Sequence, residues 1–596
     1  MDTDDGTPQQ SDSPLTRVPA VSRSVKFRAI GVACVLSLAL LGLIGRLAQM
    51  QVMQHPRYER LARRQQVVTR KLSARRGDIY DSNGQLLATD VVRYSVFADP
   101  TEVEDRMVTA RMLARVLNLD TDTLEEKLAK EDRLFVWIKR QVPDADAALV
   151  RQLNLPGVHL RRERKRIHPH GSMAAHMVGF TDIDGRGLAG LELELDSLLT
   201  GKPGKEIVSR DGKRRSILMP SQGVVEKPFD GCDVHLTIDS CIQAIVEEEL
   251  KRAAERHEPE VGVAVALDPR TGAVLGMASW PGYNPAEPAE SPIGHRKNRV
   301  ITDVYEFGSV LKPITVAAAL ESNAVKPDTK FDCHQGAWRI GGRTVHDVHG
   351  YDTLTVREII YNSSNIGAAQ IGLKTGKKQL YRNLVDFGFG RPTGIHLPGE
   401  QAGILRPLSR WSEYSVVSIS FGQEIATTPL SVARAFCAFA NGGMLPKPSI
   451  ISKVVDSHSG TTLYELTPEK HERRAISRQT ARQVREMLAL VVEEGTGKRA
   501  KLQDYRVGGK TGTAQLLRED GRGYSWSRHL ASFAALAPVD DPRVVVLVSL
   551  KDPSKNGYYG GVAAAPACGR IIRRTLKYMK VPPRAPDPTT IAEAQR

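Results

Sequence analysis

The fold is decided by the stretch Glu306-Phe307-Gly308-Ser309-Val310-Leu311-Lys312-Pro313, which continues into the apolar run Ile314 to Leu320. A run that is apolar on every side predicts a helix buried inside a large domain. Because proline is tolerated only in the first turn of a helix, Pro313 places Ser309 at the helix start. A hydroxyl and an amine three residues apart share one face of a helix. Ser309 is therefore the predicted nucleophile, and Lys312 is the predicted base.

The start of a buried helix suits the predicted roles of both Ser309 and Lys312. Burial favours the uncharged form of Lys312, which is the form that a base requires. Free backbone N–H groups and the helix dipole at the start of the helix stabilise an oxyanion. The S-x-x-K pattern alone is weak evidence, because it arises by chance in many chains of this size. The interpretation therefore needs partners elsewhere in the sequence.

Two further polar clusters supply such partners. Ser363-Ser364-Asn365 follows the helix-like segment 356–360 and offers a hydroxyl and an amide with one residue between them. Lys510-Thr511-Gly512-Thr513 lies on a predicted edge strand, where Gly512 removes a side chain so that a ligand backbone can approach. Each cluster alone has a structural alternative, a capping turn for the first and a strand end for the second. The order S-x-x-K, S-x-N, K-T-G is specific, and it is the set found in penicillin-recognising serine enzymes.

The region around these clusters predicts an α+β domain. A hairpin is predicted at 261–267 and 273–278, and further strands at 506–516, 531–536 and 544–550. Two sets of strands separated by a mainly helical region imply an antiparallel sheet with helices on both faces. We place this catalytic domain at 232–578 and a disordered tail at 579–596.

The segment from 50 to 230 is predicted to be a non-catalytic, extended α+β module of the pedestal or dimerisation type. An Asn83-Gly84 turn between two short strands predicts a hairpin. The apolar spacing predicts helices at 108–117, 124–134 and 144–153. The basic run 161–166 is interpreted as a solvated face. No nucleophile with a neighbouring base occurs in this module.

The N-terminal region predicts a membrane anchor. Residues 1–26 are mostly polar, which is typical of a disordered cytoplasmic tail. Residues 27–48 are predicted to form the single transmembrane helix, because no charged residue occurs between Ala29 and Gly45. A cleaved signal peptide is the alternative, but no clear small-x-small cleavage site follows. Long domains translocate largely regardless of charge, so we expect the N-terminus inside and the remainder extracytoplasmic.

Composition narrows the partners of this 596-residue chain. Its net charge of +15 predicts anionic surroundings. Nucleic acid is not expected, because no zinc-ligand spacing, RNA-binding aromatic motif or recognition helix accompanies the charge. Anionic lipid, an acidic wall polymer and a merely soluble basic surface stay open.

The six cysteines occur without a C-x-x-C pattern or histidine pairing. This spacing argues against a metal site and against a disulfide-built scaffold. Buried free thiols are the favoured interpretation, with a single Cys232–Cys241 bridge as the alternative.

From residue 30 to about residue 575, the chain resembles the class B penicillin-binding proteins, which are monofunctional peptidoglycan D,D-transpeptidases, and most closely the division-specific FtsI type. Motifs that carry the resemblance beyond the three clusters are Arg76-Gly77-Asp78-Ile79-Tyr80-Asp81-Ser82-Asn83-Gly84, Phe135 to Gln141, Gly190-Leu191-Glu192, Leu267 to Gly272, Ser420 to Glu424 and Val492 to Gly497. Phe307 stands where the family usually has Pro, His168 where it usually has Tyr, and Ser82 where Arg is common. None of these departures removes a catalytic group.

The resemblance implies an acyl-transfer mechanism. Ser309 would attack the carbonyl of the penultimate D-Ala of a stem pentapeptide and leave an acyl-enzyme, which an amine from a neighbouring stem peptide resolves. Lys312 would act as base. Ser363 would relay the proton to the leaving amine, and Asn365 would hydrogen-bond the peptide amide and Lys312.

The same resemblance assigns the K-T-G strand to substrate binding. Lys510 would keep the site electropositive, and Thr511 and Thr513 would bind the free carboxylate, with Gly512 between them. Backbone N–H groups of Ser309 and Thr513 would form the oxyanion hole. No metal or cofactor is implied, and β-lactams would acylate Ser309.

Three alternatives stay open. Hydrolysis by a D,D-carboxypeptidase or β-lactamase is disfavoured by the long spacer module, and a non-enzymatic β-lactam sensor or scaffold by the intact clusters. An elongation-specific relative would share the chemistry, but overall length and the segment 492–497 favour division. By resemblance, the anchor would bind an FtsW-type glycosyltransferase and other divisome proteins.

Overall fold

The computed structural model describes residues 23–130, 132–210, 216–217, 224–467, 473–518, 520 and 522–584. The chain forms two compact units, one of Met1–Leu72 with Gly204–Lys227 and one of Ser73–Pro203 with Pro228–Arg596. Residues 579–584 of the tail predicted to be disordered at 579–596 are described: Met579 and Val581 pack against the core, and the Arg584 backbone N–H donates to the Asp504 carbonyl oxygen at 2.8 Å. The remainder of this tail, and residues 1–22 of the tail predicted at 1–26, lie outside the described residues. The boundaries predicted from sequence for the pedestal module and the catalytic domain stay predictions.

The first unit contains the apolar N-terminal helix. Helix Arg23–Ala48 runs directly into the π-helical turn Gln49–Met53, and helix His55–Gln66 follows. The segment Arg23–Met53 is long and apolar enough to cross a membrane, with a mean hydropathy of 2.3 over its best window. It fits a single-pass anchor. The helix takes in residues 23–26, which the sequence assigned to the tail.

A small sheet completes the first unit. Strand Val67–Leu72 pairs antiparallel with Gly204–Arg210, from Val67 opposite Ser209 to Leu72 opposite Gly204. The short strands Ser216–Ile217 and Val224–Glu226 pair with Gly204–Arg210.

The second unit is built on an antiparallel five-stranded sheet. Its strands, in spatial order, are Val274–Trp280, Val261–Leu267, Val544–Lys551, Tyr524–Ala537 and Gly508–Leu517. All residues of Val261–Leu267 are buried, because both faces of this central strand are covered. The K-T-G strand lies at the edge, as predicted.

Helices cover both faces of this sheet, which confirms the predicted fold class. Alternate residues of the central strands pack on one side against helices Ser240–His257 and Ala565–Tyr578. Their neighbours pack on the other side against helices Lys312–Glu321, Pro429–Ala440 and Arg478–Glu493. The nucleophile helix is therefore an internal element.

A seven-stranded sheet joins strands from distant parts of the second unit. Its strands, in spatial order, are Thr462–Glu465, Ile451–Val455, Asp233–Leu236, Ile79–Tyr80, Leu86–Ala98 and Val136–Val142, with Val158–Ile167 paired to Leu86–Ala98. Ile79–Tyr80 and Leu86–Ala98 form the hairpin predicted from Asn83-Gly84. Helices Arg106–Leu117, Thr121–Leu128 and Asp144–Leu153 accompany these strands. The helix predicted at 124–134 is wrong beyond Leu128, because the helix is capped at Ala129 and the described residues that follow form a connection to strand Val136–Val142.

Shorter elements fill the remainder of the second unit. The helices and helical turns are Ala175–Val178, Gly190–Glu194, Asp196–Leu199, Pro288–Glu290, Ile293–Arg296, Arg299–Thr302, Gly308–Leu311, His334–Gly336, Val356–Asn362, Asn365–Thr375, Lys377–Asp386, Leu408–Arg410, Glu413–Ser420, Lys498–Ala500 and Gly560–Ala563. The short strands pair as Lys330–Asp332 with Thr353–Thr355, Ala337–Ile340 with Arg343–His346, Ile404–Leu405 with Ile425–Ala426, and Met444–Leu445 with Arg473–Arg474.

All six cysteines are free thiols. Cys232 is half-buried and Cys241 is exposed, and no bridge joins them. The free-thiol interpretation is therefore confirmed and the alternative disulfide is wrong, but the predicted burial holds only for Cys333, Cys437 and Cys568.

Candidate active site

Ser309 lies in a short turn that leads into the buried helix. The 3-10 turn Gly308–Leu311 is followed by helix Lys312–Glu321, which has Pro313 in its first turn. Every residue from Lys312 to Leu320 is buried. The predicted start of the helix is confirmed, and Ser309 lies just ahead of the first α-helical residue.

The K-T-G strand packs closely against this turn. A Cβ atom added to Gly512 would lie 2.6 Å from the Phe307 carbonyl oxygen and 2.5 Å from Val310 Cγ2. The sequence predicted that the missing side chain makes room for a ligand backbone. The structure places the protein's own nucleophile turn in that space, so Gly512 is needed for the packing of one motif on another.

Phe307, which replaces the usual family proline, is accommodated in the core. Its side chain is fully buried. Its ring packs edge-on against Tyr305, with ring centroids 6.3 Å apart. Phe307, which departs from the family pattern just before the nucleophile, is therefore packed in the core.

Lys312 is a buried amine with oxygen partners. Its Nζ donates to the Ser363 carbonyl oxygen at 2.5 Å, to Asn365 Oδ1 at 2.8 Å and to Ser363 Oγ at 3.3 Å. Burial lowers the pKa of Lys312 to about 7, and the charge of Asp347 opposes part of that shift. About half of such amines are neutral at pH 7 and able to accept a proton. Among the described residues, no hydrogen bond joins Ser309 Oγ to Lys312 Nζ.

Ser363 connects the S-x-x-K lysine to the K-T-G lysine. Lys510 Nζ donates to Ser363 Oγ at 2.8 Å and to the Thr511 carbonyl oxygen at 3.1 Å. Burial, and then the charge of Lys312, hold the pKa of Lys510 well below its usual value. One hydroxyl thus lies between two buried amines, so the three sequence clusters meet at Ser363.

Asp347, which sequence reasoning missed, anchors the S-x-N turn. Its Oδ1 accepts from the backbone N–H of Asn365 and, at 3.1 Å, from that of Ile366. Its Oδ2 accepts from Ser364 Oγ at 2.5 Å. Asp347 lies in a loop with no recognisable motif, and only the tertiary fold brings it to the turn.

The turn itself fixes the side chains that face the lysines. Ser363 has a left-handed φ of 62° after helix Val356–Asn362, and Ser364 caps helix Asn365–Thr375. Asn365 Nδ2 donates to the His346 carbonyl oxygen at 2.8 Å, which directs Oδ1 to Lys312. The capping turn that the sequence offered as an alternative is therefore present together with the polar cluster.

The threonines of K-T-G have partners on neighbouring segments. Thr511 and Thr496 share a hydroxyl hydrogen bond at 2.7 Å. Thr513 Oγ1 accepts from the Gly560 backbone N–H at 3.0 Å. Thr496 belongs to the motif at 492–497, whose role the sequence left unassigned.

A cavity of about 740 Å³ opens onto these groups. Its lining includes Ser309, Ser363, Asn365, Thr511 and Thr513. The amines of Lys312 and Lys510 belong to fully buried side chains at this site. The volume suits a peptide terminus, and the predicted hydroxyl and amide groups reach it.

Sequence reasoning missed other side chains on the wall of this cavity. Tyr558 stacks on His529 and Tyr559, with centroids 4.3 Å and 4.6 Å apart. Glu306 accepts from the Tyr524 hydroxyl at 2.7 Å, and burial raises the pKa of its carboxyl group. In the sequence, the only sign of the stacked aromatic side chains was the pair Tyr558-Tyr559 followed by two glycines.

Comparisons with known proteins agree with this arrangement. The penicillin binding protein transpeptidase domain matches residues 262–573, and the penicillin-binding protein dimerisation domain matches residues 71–236. Together, these two matches cover most of the chain.

Named relatives are similar over nearly the whole length. The chain is 37% identical over 523 residues to Stage V sporulation protein D of Bacillus subtilis, with 85% of this chain and 79% of the relative covered. It is 34% identical over 558 residues to the peptidoglycan D,D-transpeptidase FtsI of Escherichia coli K12, with 93% and 92% covered. The crystal structure of penicillin binding protein 3 from Mycobacterium tuberculosis, complexed with aztreonam, matches with a TM-score of 0.67 and 28% identity over 87% of this chain and 99% of that one.

Proposed function

Because the chain belongs to the class B penicillin-binding protein transpeptidases, we propose that it is a serine D,D-transpeptidase that cross-links peptidoglycan stem peptides. The observation that carries the proposal is the Ser363 hydroxyl, which lies 3.3 Å from Lys312 Nζ and 2.8 Å from Lys510 Nζ at the cavity that also contains Ser309. A nucleophile next to a connected pair of buried amines is suited to acyl transfer.

The acylation step moves one proton through this network. Ser309 Oγ forms a bond to the carbonyl carbon of the penultimate D-Ala, and its proton passes to neutral Lys312. Backbone N–H groups of Ser309 and Thr513 stabilise the oxyanion. The C–N bond to the terminal D-Ala breaks, and the leaving amine takes a proton through Ser363. The amine of a second stem peptide then attacks the ester and returns Ser309 to its free form.

The protonation states of Lys312 and Lys510 depend on each other. Because each ammonium disfavours the other, we expect the pair to avoid the doubly charged state near neutral pH. A substrate carboxylate bound at Thr511 and Thr513 favours a charged Lys510. Such a charge in turn keeps Lys312 neutral. Substrate binding therefore prepares the base that acylation requires.

Penicillin labelling tests the chemistry. The full chain in detergent micelles is treated with a fluorescent penicillin, and Ser309→Ala is compared with Ser322→Ala, a serine whose hydroxyl hydrogen-bonds only within its own helix turn. Loss of the label in the first variant alone is expected. Labelling of Ser309→Ala at the wild-type level would overturn the proposal.

A stem-peptide assay distinguishes transfer from hydrolysis. The wild-type chain is given a pentapeptide donor with and without an acceptor amine, and the products are resolved by mass spectrometry. The cross-linked product is expected to dominate when acceptor is present. Release of tetrapeptide alone would favour the carboxypeptidase alternative.

We place the enzyme in septal wall synthesis. The similarity to FtsI of Escherichia coli supports this role, as does the apolar segment Arg23–Met53, which suits a single-pass anchor with the N-terminus in the cytoplasm and the catalytic unit outside. In this position, an FtsW-type glycosyltransferase and divisome proteins would be its partners. A tagged copy should concentrate at midcell. Distribution along the side wall would favour the elongation role with the same chemistry.

A further inference from the structure

A second cavity lies far along the chain from the acylation site. It has a volume of about 620 Å³ and is bordered by residues of strand Val158–Ile167, by 180–188 and by 285–288. None of its lining residues lines the 740 Å³ cavity that contains Ser309. His168, which replaces the usual family tyrosine, lies on its wall. The volume is within the range of ligand sites.

The wall of this cavity carries an excess of positive charge, because seven arginine and lysine side chains line it beside the four carboxylates of Asp90, Glu163, Asp182 and Asp184. Arg161, Arg162, Arg164 and Lys165 all line it. Within the described ranges, none of these four side chains forms a salt bridge. A strand that keeps four unpaired cations beside a cavity attracts anions. The basic run that the sequence presented as a solvated face is thus the wall of a cleft.

One nitrogen of a buried guanidinium on this wall lacks a hydrogen-bond partner among the described residues. The Arg166 side chain is 3% exposed and donates from Nε to Glu192 Oε1 at 2.6 Å. Its Nη2 has no hydrogen-bond partner among the described residues. A buried donor without a partner costs free energy, which a ligand oxygen would recover. Arg162 and Arg164 precede Arg166 at alternate positions, so the three share one face of the strand.

An aromatic cluster adjoins the cleft. Phe97, Phe135 and Trp137 pack together, with centroids 4.7 Å apart for Phe97–Phe135 and 4.8 Å for Phe135–Trp137. Phe135 is 40% exposed. The guanidinium groups of Arg140 and Arg161 lie 5.0 Å and 6.0 Å from the Trp137 ring centroid. Both arginines also line the cavity, so the aromatic cluster meets the cavity wall at these two cations.

We propose that this basic cleft, with its aromatic cluster, binds an acidic glycan, namely the carboxylate-bearing strands of peptidoglycan. Sugar rings stack on exposed aromatic faces, and carboxylates pair with arginine forks. An anionic lipid surface would use the cations but has no rings to stack on the aromatic cluster. The choice of peptidoglycan rests on the proposed function. A second contact with the polymer raises the local concentration of stem peptides for Ser309.

Binding is measured with the full chain in detergent micelles after its Ser309 site has been blocked with penicillin. The probe is a soluble glycan strand with tetrapeptide stems, which lack the terminal D-Ala that a donor needs. The double variant Arg162→Glu/Arg164→Glu should bind about tenfold more weakly, and Phe135→Ala several-fold more weakly. Affinity should also fall as salt rises.

The matched control is Arg111→Glu, an exposed arginine on helix Arg106–Leu117 that does not line the cavity. It should bind the strand as the wild type does. The arginine variants should keep the wild-type melting temperature, and all variants should keep penicillin labelling, because Ser309 and its partners are untouched. A wild type that binds the strand but is not labelled by penicillin would overturn the proposed function alone.

Three results would overturn the glycan proposal. The first is equal affinity of the double variant and the wild type for the strand. The second is equal affinity of the wild type for the strand and for a neutral chitin oligosaccharide. The third is Arg162- and Arg164-dependent binding to anionic lipid vesicles without binding to the strand.

Discussion

The two cavities of this protein use cations in opposite ways. Beside Ser309, Lys312 and Lys510 are fully buried and share the Ser363 hydroxyl, and burial lowers the pKa of both. On strand Val158–Ile167, Arg161 and Arg162 are exposed and lack salt bridges among the described residues. Burial converts a cation into a proton acceptor, whereas exposure preserves its charge for binding. Residue type and environment therefore act together, because a buried lysine amine can lose its proton whereas an arginine guanidinium stays charged.

The largest effect should follow removal of the buried amine. Lys312→Met keeps the length and burial of the side chain but cannot accept a proton. Penicillin acylation should slow about 10³-fold, which is the usual contribution of a positioned base. Stopped-flow labelling measures the rate, and a melting curve checks the fold. A rate within tenfold of the wild type would contradict the role of Lys312 as proton acceptor, and with it the contrast between the two cavities.

Packing of the motifs on one another should have the next largest effect. A methyl group at Gly512 meets Phe307 O and Val310 Cγ2 at 2.6 Å and 2.5 Å. Gly512→Ala should displace the nucleophile turn and slow acylation about 10²-fold. Gly282→Ala is the control, because its Cβ meets nothing within 4 Å. Unchanged acylation in Gly512→Ala would show that the turn adapts without cost.

The pH dependence of acylation tests the electrostatic side of the comparison. With a Lys312 pKa of about 7, the rate should rise as pH rises through 7. The charge of Asp347 raises that pKa, so Asp347→Asn should move the rise to lower pH and reduce the rate about tenfold by loosening the S-x-N turn. Asp328→Asn, at an exposed ion pair with Arg357, should change neither quantity. A midpoint that moves to higher pH would contradict the assignment of Lys312 as base.

The smallest effect is expected on the exposed strand. Arg162→Ala removes a charge that has no salt-bridge partner among the described residues. The free energy of unfolding should change by less than about 0.5 kcal/mol, and acylation should not change. Chemical denaturation measures the free energy of unfolding, and penicillin labelling measures acylation. A loss of several kcal/mol would assign Arg162 to the fold instead of the cleft.

Local patterns predicted much of this molecule. The apolar run after Ser309 is a buried helix, the strand segments near 261, 274, 508, 531 and 544 form one sheet, and the K-T-G strand lies at its edge. The helix predicted at 124–134 ends at Leu128, because apolar spacing continued past the residue at which the helix is capped. Helix boundaries are decided by the local cap and by the strand Val136–Val142 that follows, and apolar spacing records neither.

The active site was likewise predicted only in part from the sequence. The S-x-x-K, S-x-N and K-T-G patterns named the groups that meet at Ser363, because reactive side chains need a fixed local spacing. Asp347 belongs to no such pattern. The sequence predicted that a ligand backbone approaches Gly512, but the structure has the Phe307 carbonyl group in that place. These contacts join residues that are distant in the chain, so no local spacing records them.

The sequence by itself determined the chemical groups, the buried nucleophile helix, the apolar N-terminal segment and the family resemblance, since each is written in neighbouring residues. The tertiary structure alone decided that burial lowers the pKa of Lys312 and Lys510, that Asp347 anchors the S-x-N turn and that the 161–166 run borders a cavity. The physical reason is that pKa values, hydrogen-bond partners and concave surfaces depend on what lies within a few ångströms in space. Long-range packing sets those neighbours.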